Sequence, residues 1–254
     1  MNSNGAPNNS AHGRQLNIRR SQDFHPTAFF VGCGFSIALL TSWFLEPTRS
    51  IWLAVDEYVF WTLNNSLADG RAWQVFWAAA NNRATDVVAG LLIIGLFAHF
   101  IRHTSRDKTS SVIAIFVMTV VLGILGSQIG KAMPVSRPSG TMVHASALRL
   151  SDLVTWMPTK DISGDSFPGD HTTVLLIFAG IVTFYLPRAY AVAAWAIAIV
   201  FTAPRIFGGA HWLTDDLVGS VAIAGLVLGC VLATPLQHRM INSLESLIGR
   251  IRNR

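Results

Sequence analysis

The stretch SFPGDHTTVLLIF (166–178) joins a proline, a glycine, an aspartate and a histidine directly to an apolar run that is long enough to enter a membrane. Polar groups are costly at such a boundary, so their presence there points to a function. The apolar runs of the chain cover residues 27–45, 87–101, 111–128, 172–187, 190–204 and 217–235. Because a membrane-spanning helix needs about 20 residues, these runs predict an all-α, polytopic membrane protein with six transmembrane helices.

The composition agrees with a membrane protein. Of the 254 residues, 51% are hydrophobic and only 13% are charged, whereas a soluble domain carries about 25% charged residues. The net charge is +5, but the basic residues are scattered between apolar runs, and nucleic-acid binding requires a basic patch on one face. We therefore expect no nucleic-acid partner. The sequence contains no metal-ligand spacing, and we expect no metal and no cofactor.

The distribution of lysine and arginine predicts the orientation in the membrane. Six spans place both termini on one side, and the tails and loops of that side carry more lysine and arginine than the opposite loops. Cytoplasmic segments favour these residues. We therefore predict a flexible cytoplasmic N-terminal tail (1–26), a membrane domain (27–235) and a basic cytoplasmic C-terminal tail (236–254).

Residues 51–80 form an aromatic segment that is broken by the stretch NNSLADGR (64–71). Aromatic side chains prefer the headgroup zone of a membrane. We predict one or two short helices that lie at the outer interface of the membrane. The alternative is a seventh span, which would move one terminus to the other side.

Three groups of polar residues lie outside the predicted spans, on the side away from the tails. They are GKAMPVSRP (130–138), DSFPGDH (165–171) and PRIFGGAHWLTDD (204–216). Each group lies at the outer end of a span. The six-helix topology therefore predicts that they meet at one face of the membrane.

The residues in these groups suit phosphoryl transfer, in which catalysis is mostly positioning and the stabilisation of negative charge. Arg137 and Arg205 offer planar guanidinium groups that bind phosphate oxygens in pairs. His171 and His211 can divide the remaining work, one attacking phosphorus and the other protonating the leaving oxygen. Asp215 follows His211 by four residues, a helical spacing at which its carboxylate can hold the imidazole tautomer.

At these residues the chain resembles the type 2 phosphatidic acid phosphatase superfamily, whose motifs are Lys-x6-Arg-Pro, Pro-Ser-Gly-His and Ser-Arg-x5-His-x3-Asp. The corresponding stretches here are KAMPVSRP, PGDH and PRIFGGAHWLTD. The resemblance implies that His211 is the nucleophile and becomes phosphohistidine, that Asp215 orients it, and that His171 is the general acid. The phosphate-binding residues implied are Lys131, Arg137 and Arg205.

The chain departs from the superfamily motifs at three points. The spacing between Lys131 and Arg137 is one residue short, Gly169 replaces a serine, and Asp170 replaces a glycine. Backbone N–H groups at Gly169 would have to compensate for the missing hydroxyl. The charge of Asp170 would favour the protonated form of His171 if its carboxylate points away from the substrate, and otherwise it would repel a phosphate. By their place in the motif, Gly169 and Asp170 are included among the expected phosphate-binding residues.

The stretches NNRATD (81–86), PTKDISGDSFPGDH (158–171) and PRIFGGAHWLTD (204–215) resemble the lipid A 1-diphosphate synthase subfamily. Its members move a phosphate from undecaprenyl diphosphate to the phosphate of lipid A at the outer face of the bacterial inner membrane. The resemblance therefore implies these two lipids as partners and an active site on the periplasmic face. Arg83 is an extra cation that could hold the acceptor phosphate. The alternatives are a purely topological role and a packing contact with Asp86.

Two other functions stay open at this point. One is a plain lipid phosphatase, which would release inorganic phosphate from undecaprenyl diphosphate or a similar lipid. The other is a channel or transporter, which would place ionisable residues near the middle of its spans, whereas here they gather at the ends. The oligomeric state is also open.

Overall fold

A computed structural model describes residues 22–252, and these residues form an all-helical protein in which no strand occurs. Most of the predicted N-terminal tail therefore lies outside the described residues. The helices are α1 (Pro26–Phe44), α2 (Thr48–Ser66), α3 (Arg71–Ala80), α4 (Ala84–Arg102), α5 (Thr109–Lys131), α6 (Gly140–Val143), α7 (Leu150–Leu153), α8 (Asp170–Tyr185), α9 (Arg188–Phe207), a π-helical turn (Asp215–Ser220), α10 (Val221–Leu232) and α11 (Leu236–Arg252).

Five helical segments in the described part of the chain are long and apolar enough to cross a membrane. They are α1, α4, α5 with the short turn before it, α9, and the π-helical turn together with α10. The sixth predicted run, 172–187, forms α8, which is apolar but has only 16 residues. Pro168 precedes α8 and Pro187 follows it, so both ends are bounded by residues that disfavour a longer helix. Length and composition thus support five spans directly.

The core of the bundle is built around α8, which packs against α5, α9 and α10. Ile177, Phe178 and Ile181 of α8 are buried completely or almost so. A Cβ atom added to Gly126 of α5 would lie 2.6 Å from Cδ1 of Ile177. The glycine therefore permits the close approach of α5 and α8, as small residues do between membrane helices.

The aromatic segment forms two helices, α2 and α3, and neither is among the helices long and apolar enough to span a membrane. The described residues thus give no support to a seventh span. Trp77 of α3 stacks on Phe207 of α9, with ring centroids 3.6 Å apart. This contact fixes the aromatic segment against the end of the bundle that carries the polar motifs.

The predicted C-terminal tail is helical, and its helix α11 packs against α5. Ile241 and Gln237 are completely buried. The hydroxyl of Tyr185 donates a hydrogen bond to Oε1 of Gln237 (2.5 Å). Residues 236–252 therefore form part of the packed structure.

Candidate active site

The three polar segments singled out in the sequence meet at one end of the bundle, where backbone hydrogen bonds join them. The amide of Ser166 donates to the carbonyl of Arg137 (2.7 Å), and the amide of Gly169 donates to the carbonyl of Asp215 (3.1 Å). The first segment follows α5, the second precedes α8, and the third connects α9 to the π-helical turn. The structure therefore brings together residues that are far apart in the chain.

His211 lies at this meeting point and is buried, with 6% of its surface exposed. Its Nδ1 atom lies 2.9 Å from the carbonyl oxygen of Ser166. Because a carbonyl oxygen only accepts hydrogen bonds, Nδ1 carries the proton, and Nε2 of the neutral ring holds the lone pair. The side chain also lines a cavity of about 230 Å³. An imidazole whose Nδ1 is held by a backbone carbonyl thus borders the cavity.

Asp215 lies beside His211 without a hydrogen bond to its ring, since Oδ2 and Nδ1 are 3.7 Å apart. The same Oδ2 accepts from the backbone amide of Trp212 (2.7 Å), and Oδ1 accepts from Arg137 (2.8 Å). Burial disfavours the charged form of His211, but the carboxylates of Asp215 and Asp216 outweigh burial and raise the pKa of His211 above its ordinary value. Asp215 therefore acts on the imidazole mainly through its charge.

Arg137 is enclosed by two carboxylates and two indole rings. Its Nη2 lies 2.6 Å from Oδ2 of Asp56, and its Nη1 lies 2.8 Å from Oδ1 of Asp215. Its Cζ lies 4.9 Å from the ring centroid of Trp212 and 5.4 Å from that of Trp43, which are cation–π distances. These contacts hold the guanidinium in one orientation.

Asp56 is a site residue that the sequence analysis missed. It lies on α2, is 1% exposed, and accepts hydrogen bonds from the amide (2.9 Å) and hydroxyl (2.6 Å) of Thr214. Burial raises the pKa of Asp56, and Arg137 and Thr214 offset part of this effect. The only local signal was a carboxylate within an aromatic segment, which does not reveal a partner 81 residues away.

Arg205, which is 3% exposed, reaches from α9 to the start of α4. Its Nη2 donates to both carboxylate oxygens of Asp86 (2.7 and 2.9 Å), and its Nη1 donates to Oδ1 of Asn81 (3.0 Å). Oδ1 of Asp86 also lies 3.0 Å from Nε2 of His171. One carboxylate thus joins the predicted phosphate-binding Arg205 to the predicted general acid.

Arg83, the predicted extra cation, is the N-cap residue of α4 and is exposed. One alternative gave it a packing contact with Asp86. The amide of Asp86 donates to the carbonyl of Arg83 (3.1 Å), whereas the carboxylate of Asp86 is engaged by Arg205 and His171. Arg83 is also not among the residues that line the cavity. The structure places it beside the site, three residues before Asp86.

The cavity beside His211 is lined by two lysines, Lys131 and Lys160, and by Asp170. Oδ1 of Asp170 accepts a hydrogen bond from the backbone amide of His171 (2.7 Å). The carboxylate of Asp170 therefore borders the cavity and engages one N–H at the start of α8. Lys160 was not singled out as a site residue, although it lies in the quoted stretch PTKDISGDSFPGDH.

Packing explains why Gly169 stands where the superfamily motif has a serine. A Cβ atom at residue 169 would overlap Oδ1 of Asp216 and would lie 3.0 Å from Oγ of Ser220. Asp216 is itself 2% exposed and lies in the π-helical turn, so it has little room to move. A serine at residue 169 and an aspartate at residue 216 are therefore incompatible.

We expect Gly169→Ser to destabilise the protein, because the new side chain overlaps the Asp216 carboxylate. Overpacking of a buried site costs about 1–3 kcal/mol, which thermal unfolding of the purified protein in detergent can detect. Gly34→Ser is the matched control, since a Cβ atom there meets nothing within 4 Å. In the double variant Gly169→Ser/Asp216→Ala, the loss of stability should be smaller than the sum of the losses in the two single variants. Additive losses would refute the steric explanation.

Comparison with known proteins identifies relatives of the chain. The sequence model of a family described as the PAP2 superfamily matches residues 110–240. The chain is 35% identical over 216 residues to a protein of Escherichia coli (strain K12) named lipid A 1-diphosphate synthase, covering 84% of this chain and 91% of the relative. No solved structure matches the chain.

Proposed function

Because the chain belongs to the PAP2 superfamily of phosphatases and phosphotransferases, we propose that it moves a phosphoryl group from undecaprenyl diphosphate to the phosphate of lipid A. The name of the Escherichia coli relative supports lipid A as the acceptor and position 1 as the phosphate that is modified. The observation that carries the proposal is the state of His211, which is buried, protonated at Nδ1 and adjacent to a cavity lined by two lysines.

In the first half of the reaction, Nε2 of His211 attacks the terminal phosphorus of the donor. An N–P bond forms while the P–O bond to undecaprenyl phosphate breaks, and His171 supplies a proton to the leaving oxygen. The phosphohistidine is cationic because Nδ1 keeps its proton. The carbonyl of Ser166 accepts that proton's hydrogen bond, and the charge of Asp215 favours the cation. Arg137 and Arg205 stabilise the oxygens of the transferred group.

In the second half, an oxygen of the lipid A phosphate attacks the phosphohistidine. The N–P bond breaks, a new P–O–P linkage forms, and the electron pair returns to Nε2 of His211. Water requires a base before it attacks, whereas a phosphate monoester is already anionic. A cavity whose two lysines seat this anion favours transfer over hydrolysis by proximity.

We further propose that α8 is the sixth span, that both termini are cytoplasmic, and that the site faces the periplasm from a bacterial inner membrane. The excess of lysine and arginine on the side of the tails supports this orientation. The aromatic helices α2 and α3 would then lie at the periplasmic interface. Packed against α5, α9 and α10, α8 tolerates a length below that of an isolated span.

The proposal is tested with purified protein and undecaprenyl diphosphate that is radiolabelled in its terminal phosphate. With lipid A present, we expect the label to appear in lipid A, and mass spectrometry to show one added phosphate. With donor alone, we expect phosphohistidine and only slow release of inorganic phosphate. Rapid release of phosphate without acceptor would show a lipid phosphatase, and no reaction in either case would refute both activities.

A further inference from the structure

The cavity next to His211 contains a cation that the motifs do not account for. Lys160 lines it together with Lys131 and His211. The carboxylates of Asp165 and Asp170 also border the cavity, so without its lysines it would repel a phosphate. The ammonium of Lys160 interacts electrostatically with Asp170, His171 and His211. Lys160 is thus close to the reacting groups in space, although it precedes His211 by 51 residues.

The backbone of Lys160 is held in place by Asn81. The amide of Lys160 donates to the carbonyl of Asn81 (3.2 Å), and Nδ2 of Asn81 donates to the carbonyl of Lys160 (2.8 Å). Asn81 is fully buried, and its Oδ1 also accepts from Nη1 of Arg205 (3.0 Å). A Cβ atom on Gly208 would overlap Nδ2 of Asn81. One asparagine therefore sets the positions of both Lys160 and Arg205.

Lys160 differs from the two arginines because it forms no direct ion pair, although Asp170 interacts with its charge at longer range. Arg137 is paired with Asp56 and Asp215, and Arg205 with Asp86. Within residues 22–252, no carboxylate lies within ion-pair distance of the Lys160 ammonium. A half-buried lysine that borders a cavity and forms no direct ion pair is suited to an anionic ligand.

The geometry of phosphoryl transfer indicates which anion binds beside Lys160. In an in-line displacement, the leaving oxygen and later the attacking oxygen occupy the side of the phosphorus opposite the nucleophile. In the proposed reaction the leaving group is a lipid phosphate, and the acceptor is also a phosphate monoester. Both therefore present a phosphate at the same place, and one subsite serves both halves of the reaction.

Given the proposed function, on which this inference rests, we propose that Lys160 binds the phosphate that is not transferred. It holds the phosphate of the departing lipid in the first half of the reaction and the phosphate monoester of the acceptor in the second. Asn81 is a positioning residue for this subsite, because it holds the backbone from which the lysine side chain extends. The ligand class is a phosphate monoester at the end of a lipid.

The test uses Lys160→Gln in the full-length protein in detergent micelles, with Lys160→Arg as the charge-retaining variant. Lys108→Gln, in the turn at the other end of α5, is the matched control. Glutamine leaves the backbone contacts with Asn81 intact, so the apparent melting temperature should stay at the wild-type value. A charge-assisted hydrogen bond contributes about 1.5–3 kcal/mol, which corresponds to a roughly 10- to 150-fold change in a rate or binding constant.

Single-turnover kinetics with labelled undecaprenyl diphosphate provide the first readout. We expect Lys160→Gln to slow phosphohistidine formation, and to raise the acceptor concentration needed for its discharge, by about 10- to 150-fold. Hydrolysis of the same phosphohistidine by water should be unchanged, because water needs no phosphate subsite. Lys160→Arg should restore most of the transfer. Equal loss of hydrolysis and transfer, or wild-type kinetics in Lys160→Gln, would overturn the assignment.

Equilibrium binding of farnesyl phosphate, with farnesol as the uncharged counterpart, provides a readout that does not depend on activity. Lys160→Gln should weaken binding of the phosphate by about 10- to 150-fold and leave farnesol binding unchanged. If wild-type protein forms no phosphohistidine from the diphosphate, the proposed function fails, and this binding assay still decides on the subsite. If both ligands bind equally to wild-type and variant, the subsite fails whatever the activity.

Discussion

Replacement of His211 by alanine is expected to abolish phosphohistidine formation and lipid phosphorylation, lowering the rate by about a thousandfold or more. The imidazole is buried, its Nδ1–H is held by the carbonyl of Ser166, and it borders the cavity. Among the histidines of residues 22–252, no other shares this arrangement: His171 is 3.0 Å from Asp86, and His144 pairs with Glu57 (3.1 Å). Without Nε2 of His211, the proposed site keeps its arginines but loses the proposed nucleophile that receives the phosphoryl group.

The protein is mixed with labelled undecaprenyl diphosphate, and the amounts of acid-labile and acid-stable label bound to the protein are measured. The transfer of label to lipid A is measured next. His211→Asn separates chemistry from folding, because its amide can still donate to the Ser166 carbonyl. His144→Ala is the matched control, a histidine at the same end of the bundle whose ring lies 5.3 Å from that of Phe60. Wild-type rates in His211→Ala, with His144→Ala equally active, would exclude His211 as the nucleophile.

The second large effect is expected at Arg137, where one substitution should damage both stability and activity. Arg137→Ala leaves the carboxylates of Asp56 and Asp215 without their cation, and these residues are 1% and 0% exposed. Breaking a buried ion pair in this way costs about 3–5 kcal/mol. Activity should fall as well, because the guanidinium that the superfamily motif assigns to phosphate binding is lost.

Thermal unfolding in detergent and the transfer assay measure the two losses separately. Arg137→Lys keeps the charge but lacks the planar fork that contacts both carboxylates, so it should recover stability only in part. Arg49→Ala is the control, since Arg49 also lies over the ring of Trp43 (5.6 Å from its centroid) but is exposed. An unchanged melting temperature in Arg137→Ala would contradict the ion-pair account.

The helices could be predicted because their signal is local. The apolar run 111–128 became α5 (Thr109–Lys131), and the run 87–101 became α4 (Ala84–Arg102). Such runs reflect the exclusion of polar groups from hydrocarbon, which acts on every residue of a span. The run 172–187 shows the limit of this signal, since it formed a 16-residue helix whose sides are covered by neighbouring helices.

Only those site residues that stand in recognisable sequence motifs could be predicted. His171, His211 and Asp215 stand in short motifs at helix ends, and the structure brings their segments together. The carboxylates that pair with the two motif arginines lie in no such motif. Asp56 meets Arg137 across 81 residues, and Asp86 meets Arg205 across 119.

Local features of the chain are enough to predict an all-helical membrane protein of the PAP2 superfamily, together with the chemical groups available for phosphoryl transfer. Hydropathy and motif spacing are properties of neighbouring residues, so they can be read along the chain. The folded structure was needed to show that Asp86 bridges Arg205 and His171, that Asn81 holds the backbone of Lys160, and that Asp216 requires a glycine at residue 169. These arrangements depend on which helix ends come within a few ångströms of each other, and that is set by the packing of α8 against its neighbours.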